Sequence, residues 1–379
     1  MVLGIDASNI RIGGGVTHLV EILKVANPSK FGISTIHVWG RSKTLDQIGN
    51  KVWLIKHYEP FLERSLFYRI YWSKFILPKR LKQMSVEALF IPGGTYLGNF
   101  QPFITMSQNL LPFEWTELRR YGFSLATLKL MLLFVTQSMT FRKATGVIFL
   151  TEFARNAVLK KCRLNLNKTT IVYHGINEKF FQVPREQRNI QSCSTKKPFR
   201  ILYVSFIGPY KHQWNLIRAV SKMRKAGYPL QLELIGSPDD KKSMRKLTSA
   251  MQAEDPTNEF IHYFKAISYA EIERKYKEAD LFAFLSSCET FGQIVTEAMA
   301  AGLPIACSNL SAMPEILGSA GHYFDPLKID SIEITLKEMI ESVNLRKVLA
   351  ESAFQSAKKY SWEKAADQTF EFIGRMIRN

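Results

Sequence analysis

Cysteine is scarce in this chain. Four occur in 379 residues, Cys162, Cys193, Cys288 and Cys307, and they stand far apart. No Cys-x-x-Cys pair or His/Cys cluster is present, so neither a disulfide framework nor a zinc site is supported. Long apolar runs are also lacking. The most apolar window, 125–134, contains Lys129 and is too short to span a bilayer. The start, Met1-Val2-Leu3-Gly4-Ile5-Asp6, reads as a strand with no cationic leader before it, so no secretory signal is expected and a cytoplasmic location is. There is no fixed-period repeat and no low-complexity tract. Acidic residues run short, 33 against 51 Lys+Arg, for a net charge of +18. The shortage is uneven: residues 1–180 hold 24 Lys+Arg and 10 Asp+Glu, and the remainder holds 27 and 23. A basic first half points to an anionic partner there, or else to plain solubility.

A length of 379 residues suggests two domains. Short runs rich in Val, Ile, Leu and Phe recur at 2–5, 33–38, 88–91, 103–105, 146–150 and 170–172. Segments with helical spacing lie between several of them, such as 17–25 and 152–161. This alternation implies an α/β fold with a mostly parallel sheet covered on both faces. Residues 182–198 are polar and turn-forming, a linker by composition. The alternation then restarts, with strands expected at 200–205, 231–235, 260–263, 281–285 and 304–307. Helices are expected at 215–226, 268–278, 295–301, 329–359 and 362–377. The reading is two doubly wound domains, 1–181 and 199–361, with 362–379 as a closing helix. Ligands of such sheets sit beyond the carboxyl ends of the strands, so the natural site is a cleft between the two.

The sharpest signal is 286–304, which follows a strand and runs into a helix. Glu289 lies in the strand-to-helix loop and Glu297 about two turns later. Thr290, Phe291, Gly292 and Gln293 lead into the helix, whose first N–H groups suit a diphosphate. Taken alone, a Glu at a helix start is equally a capping residue or dipole partner. The ordered string Glu-Thr-Phe-Gly, Glu-Ala-Met-Ala-Ala-Gly-Leu-Pro and then Met313-Pro314-Glu315-Ile316 resembles the E-x7-E signature of retaining family-four glycosyltransferases, the glycosyl transferases group 1 domain. The resemblance covers residues 199–379 and implies a GT-B fold, two Rossmann-like domains facing across a cleft, the first binding the acceptor and the second the nucleotide sugar. It implies a nucleotide-sugar donor, retention of configuration, and no metal or other cofactor. An Asp-x-Asp metal pair is missing; Asp239-Asp240 is adjacent and lies in a polar loop.

Residue by residue, the resemblance makes Glu289 the holder of the donor sugar's hydroxyls and Glu297 the holder of the ribose. The stretch from Tyr203 to His212 resembles the family's first C-domain strand and loop, whose terminal Lys binds the diphosphate; here it is Lys211. Many members carry an Arg five residues earlier, where this sequence has Phe206. In the first half, the turn at Gly13-Gly14-Gly15 resembles the loop that closes over the donor phosphate, with Gly14 and Gly15 as the candidates. His18, a turn into the following helix, is either catalytic or packed. Ser107 to Glu114 resembles the family's His-Asp-Leu-x-Pro loop, with Gln108 and Asn109 replacing His and Asp. Amides can hydrogen-bond sugar hydroxyls but cannot take up a proton. His174 stands where Asn is usual and is read as cleft-lining.

Two basic, aromatic-rich stretches, 53–84 and 119–143, read as helices lying on an anionic membrane. Nucleic-acid binding by stacking, or a solvated face over a core stripe, would give the same composition. The transferase signature decides against nucleic acid. The whole suggests a peripheral enzyme at the inner face of the cell membrane. It would transfer a hexosyl group from a UDP- or GDP-sugar to a glycan or polyprenyl-diphosphate-linked acceptor in cell-surface polysaccharide or lipopolysaccharide synthesis. The rival readings are a GT-B sugar-nucleotide epimerase or phosphorylase, and a non-catalytic membrane-bound scaffold of the same fold.

Overall fold

The structure, a computed structural model, describes residues 1–11 and 13–378. The chain forms two compact units, Met1–Gly175 with Tyr360–Asn379, and Ile176–Lys359. The first unit holds β1 (Val2–Asp6), β2 (Thr35–Gly40), β3 (Leu54–Tyr58), β4 (Ala88–Ile91), β5 (Phe103–Ser107), β6 (Gly146–Phe149) and β7 (Thr169–Ile171). They make one sheet in the order β3-β2-β1-β4-β5-β6-β7. Every pairing is parallel, as in Leu3 opposite Ile36 and Leu3 opposite Ala88. The order reverses direction at β1/β4. The central strands β4, β5 and β6 are buried throughout, so their sequences are mostly apolar, with Thr105 and Ser107 of β5 the polar exceptions.

The closing helix Trp362–Arg378 belongs to this first unit. It buries Trp362, Phe370, Phe372 and Ile373. Gly175 makes the close approach possible: a Cβ there would lie 2.2 Å from the backbone N of Trp362. Lys30 pairs with Asp367 of the same helix at 2.5 Å.

The second unit holds β8 (Phe199–Val204), β9 (Leu230–Ile235), β10 (Ile261–Phe264), β11 (Leu281–Phe284), β12 (Ile305–Ser308) and β13 (Gly321–Phe324). They form a parallel sheet in the order β10-β9-β8-β11-β12-β13, and the direction reverses at β8/β11.

Several features differ from the expectation, among them the helix Lys241–Glu254, which is not among the expected helices. β3 falls inside the stretch read as helical; it is an edge strand carrying Lys56 and His57, half exposed, so its apolar signal is weak. β13 is a four-residue edge strand with one fully buried position, too short to show a period. The expected helix over 329–359 is two, Ile329–Glu341 and Val343–Ala357, because the Ser342 hydroxyl accepts from Leu345 N–H at 3.2 Å and caps a new start. The stretch read as a linker, 182–198, is tied into the second unit. Gln182 N–H donates to Ala300 O at 2.9 Å, and Arg185 and Arg188 both bind the buried carboxylate of Asp280. Polar composition signals exposure to water, and much of the stretch is exposed, but two of its polar residues, Arg185 and Arg188, have a buried partner.

At the β2–β3 edge, His37 Nδ1 lies 2.8 Å from His57 Nε2, and both rings stack beside Trp39. Burial, the His37 ring and the Arg80 charge push His57 down to about 4. Burial lowers His37 as well. The unfolded chain therefore binds more protons than the folded one between the ordinary histidine value and about pH 4, so stability falls as pH falls through that window. Thermal denaturation from pH 7 to pH 4 should show a declining melting temperature. Replacing both residues, His37→Gln with His57→Gln, should flatten part of the decline.

Candidate functional site

In the second unit, the loops after β8 and β11 meet at the point where the strand order reverses. Such a point is the ligand edge of a doubly wound sheet. The two loops are bound together by several contacts. Ser287 N–H donates to Tyr210 O at 2.9 Å, His212 Nε2 and Ser287 Oγ are 2.8 Å apart, and Tyr203 OH donates to Lys211 O at 2.6 Å. His212 has a positive φ of 52° and starts the helix Gln213–Lys225.

This framework sets Lys211 against Glu289, and the two side chains form an ion pair. Lys211 is 4% exposed, a burial that an ammonium tolerates only with partners. Aromatic rings supply the rest. Its Nζ lies 4.6 Å from the ring centre of Phe206, 5.1 Å from Tyr210 and 5.4 Å from Phe284. Phe206, the departure from the family pattern, thus helps hold Lys211 by cation–π attraction. Asp239, exposed in the loop after β9 and raised by desolvation and by Asp240, feels the Lys211 charge. Asp240 Oδ1 accepts from Ser243 N–H at 2.8 Å and so caps the helix Lys241–Glu254.

Glu289 is held from its backbone: its N–H donates to Ser311 Oγ at 2.7 Å and its carbonyl accepts from that hydroxyl at 2.9 Å. Thr290 is half-buried and Phe291 buried, and the helix Gln293–Ala300 begins after Gly292. Gly292 has φ 88°, and a Cβ there would lie 2.5 Å from Met313 Cε, so the turn that aims the first N–H groups requires glycine. Glu297, 8% exposed, accepts from Tyr276 OH at 3.3 Å. Burial pushes it up to about 7 against the Tyr276 hydrogen bond and the Lys179 charge. Tyr276 and Phe284 carry no motif that sequence reasoning could find, and Tyr210 stands inside the Tyr203–His212 stretch with no role assigned; packing brings all three here.

In the first unit, Gly13 begins the Gly-rich turn with φ 69°, and the helix Gly14–Val25 follows. Gly14 is exposed, with open space at its Cβ position. A Cβ on Gly15 would lie 3.2 Å from Gln108 Oε1, so the turn and the end of β5 face each other closely. Gln108 Nε2 donates to Pro92 O at 3.2 Å, after β4. Asn109 Oδ1 accepts from Leu111 N–H at 3.1 Å, an Asx turn that shapes its loop. His18 is fully buried, its ring stacked 4.7 Å from His174 and edge-on to Trp362. Burial and His174 keep it far below the ordinary histidine value, so it is neutral. His174 is itself 5% exposed and tilted against Trp362 at 5.5 Å. The two histidines therefore form one stack under the closing helix. Among the described residues, no helix is long and apolar enough to cross a membrane.

Residues 185–356 match the family model of glycosyl transferases group 1. The O-antigen chain mannosyltransferase B of Escherichia coli is 29% identical over 173 residues, 44% of this chain and 44% of that protein. The matched stretch thus spans less than half the length of that curated relative. Among solved structures, WaaG, a glycosyltransferase involved in lipopolysaccharide biosynthesis, superposes with a TM-score of 0.71 at 15% identity, over 98% of this chain and 99% of that one. Anabaena Alr3699/HepE, solved in complex with UDP and glucose, superposes with a TM-score of 0.68 at 15% identity, over 97% of this chain and 98% of that one. The fold is the GT-B fold of these glycosyltransferases.

Proposed function

Since residues 185–356 are a glycosyl transferases group 1 domain, we propose that this protein transfers a hexosyl group from a UDP- or GDP-sugar to a glycan or lipid-linked glycan, with retention and without a metal. The observation that carries the reading is the buried Lys211–Glu289 pair beside the start of the helix Gln293–Ala300. Lys211 and the helix N-terminus place positive charge where a departing diphosphate gains negative charge, the role a metal fills elsewhere. When Lys211 turns to the diphosphate, Glu289 is released to accept hydrogen bonds from the sugar hydroxyls. No side chain serves as the nucleophile in this scheme. The acceptor hydroxyl attacks on the face the leaving phosphate occupies, and that phosphate takes its proton. The mannosyl transfer named for the E. coli relative and the UDP and glucose of the Anabaena structure support a hexosyl donor. The O-antigen name of the E. coli relative and the lipopolysaccharide role of WaaG also support a place in cell-surface polysaccharide synthesis. A thermal-shift panel of UDP, GDP, ADP and their hexose conjugates, without added metal, tests the reading. One nucleotide series should raise the midpoint by mass action; silence across the panel overturns it.

Glu297 makes donor binding pH-dependent in this reading. A carboxyl at about 7 must ionise to accept from two ribose hydroxyls. Affinity for the donor sugar nucleotide, whose diphosphate diester does not titrate there, should rise about tenfold from pH 6 to pH 8. Titration calorimetry at the two pH values checks this, and Glu297→Gln should give a flat profile.

Membrane attachment is a further part of the reading. The helix Leu125–Lys143 exposes Leu125, Leu128, Leu132, Val135 and Met139, spaced to share one face. Phe123 stands fully exposed just before it, and Arg142 and Lys143 close it. An apolar stripe flanked by cations suits an anionic leaflet. Flotation with phosphatidylglycerol vesicles should carry the protein up, and phosphatidylcholine vesicles should not. Equal flotation with both, or with neither, defeats this part.

A further inference from the structure

The loops after three neighbouring strands of the first sheet each bring an arginine to the same edge. Arg11 follows β1, Arg41 directly follows β2, and Arg69 lies in the helix Leu66–Tyr71 after β3. The strands stand side by side in the order β3-β2-β1, so these are adjacent carboxyl ends, where doubly wound sheets bind ligands. Each arginine is fixed by a few bonds. Arg11 Nη2 donates to Leu62 O at 2.9 Å and Arg64 O at 3.0 Å. Arg69 Nη1 donates to Asn9 Oδ1 at 2.7 Å, and Asn9 Nδ2 donates to Thr95 O at 3.3 Å. Arg41 Nε pairs with Glu63 at 3.1 Å. Among the described residues, the Nε atoms of Arg11 and Arg69 are buried and take no hydrogen-bond partner.

The charges do not balance. Burial and the neighbouring Arg41 lower Arg11, with Glu63 opposing. Burial, Arg11 and Arg41 lower Arg69, with Asp6 opposing. Glu63 is an exposed carboxylate already engaged by Arg41 and by Ser42 N–H at 2.8 Å. Asp6 is buried, and burial raises it towards its neutral form. Three guanidinium groups held within reach of each other's charge repel in the free protein. A dianion seated among them would relieve that repulsion, and the planar fork of guanidinium matches phosphate oxygens. Arginines that serve structure alone would instead meet a buried carboxylate, as Arg185 and Arg188 both meet Asp280 in the second unit.

We propose that Arg11, Arg41 and Arg69 bind a phosphate or diphosphate group carried by the acceptor. The inference rests on the transferase reading above, in that the first unit is taken to hold the acceptor. It narrows the acceptor from any glycan to one bearing a phosphate, whether a prenyl-linked diphosphate or a sugar phosphate.

The test is titration calorimetry of the whole protein with farnesyl diphosphate below its aggregation concentration, inorganic pyrophosphate and farnesol. The two phosphates should bind and farnesol should not. The double variant Arg41→Gln with Arg69→Gln should weaken both phosphates at least tenfold while leaving the nucleotide titration unchanged. Arg41→Gln alone, which among the described residues gives up just the ion pair with the exposed Glu63, should weaken them less and keeps the test readable if the double variant misfolds. Lys211→Ala removes the donor-side cation, and the farnesyl diphosphate titration should survive it; loss there would place the anion at the donor site and overturn the proposal. Unchanged affinities in the arginine variants would overturn it too. So would a double variant that loses only phosphatidylglycerol vesicles and keeps farnesyl diphosphate, because the arginines would then serve a lipid headgroup. If no nucleotide binds but the arginine-dependent phosphate titration holds, the transferase reading fails and the anion site stands.

Discussion

Glu289→Ala should lower sugar transfer by at least about 10³-fold, the scale on which removal of a preorganised electrostatic group acts. The change removes two things at once. It deletes the carboxylate proposed to hold the donor sugar, and it strips Lys211 of its ion-pair partner. Lys211 would then be a buried ammonium left with the rings of Phe206, Tyr210 and Phe284 and the more distant charge of Asp239. A buried ammonium without its counter-charge is costly, so Lys211 would not be held in the position proposed to meet the diphosphate. Glu289→Gln keeps the size and one acceptor oxygen but not the charge, so it should also be severely impaired. Initial rates with the donor found by thermal shift, measured beside vesicle flotation, separate the effects: transfer should vanish while flotation persists. Activity within about tenfold of the wild type would mean that Glu289 is not the sugar-holding group.

Asp280→Ala should destabilise the second unit by about 3 kcal/mol, the lower end for breaking a buried charge pair. Asp280 is 4% exposed. Its oxygens accept from Arg185 at 2.9 Å, from Arg188 at 3.0 Å and from the Arg200 backbone N–H at 2.8 Å. Without it, two guanidinium groups that also bind Lys277 O and Pro198 O lose their counter-charge, and 182–198 loses its anchor. The lower end is chosen because both arginines are partly exposed and their charge can rehydrate. For a unit of this size the melting temperature should drop by about 6–12 °C. Calorimetry on Asp280→Ala and Asp280→Asn checks it; a drop under about 2 °C would show that the segment is held by its other contacts. A proteolysis assay should find new cleavage at 182–198 in the variant.

The strands most legible in the sequence were the buried ones. β4, β5, β6, β8, β9, β11 and β12 run through sheets covered on both faces, so nearly every residue in them must be apolar. Edge strands β3 and β13 face water on one side and were not legible, because Lys56 and His57 or a lone buried Phe324 carry no distinctive period. The Lys211 to Glu289 relation was legible only as two motifs, 78 positions apart. That they meet is decided by the β8/β11 neighbourhood, which places the ends of both strands side by side.

Sequence by itself determined the α/β class, the two-domain plan and the Glu289–Glu297 motif, because each follows from local spacing or from a strand-to-helix turn that needs Gly292. Tertiary structure alone decided the rest. It gathered three rings around Lys211, set His18 against His174, tied the polar stretch 182–198 to Asp280, and brought Arg11, Arg41 and Arg69 to one edge. Those contacts join residues distant along the chain, and burial and charge act through space, where no pattern of neighbouring letters records them.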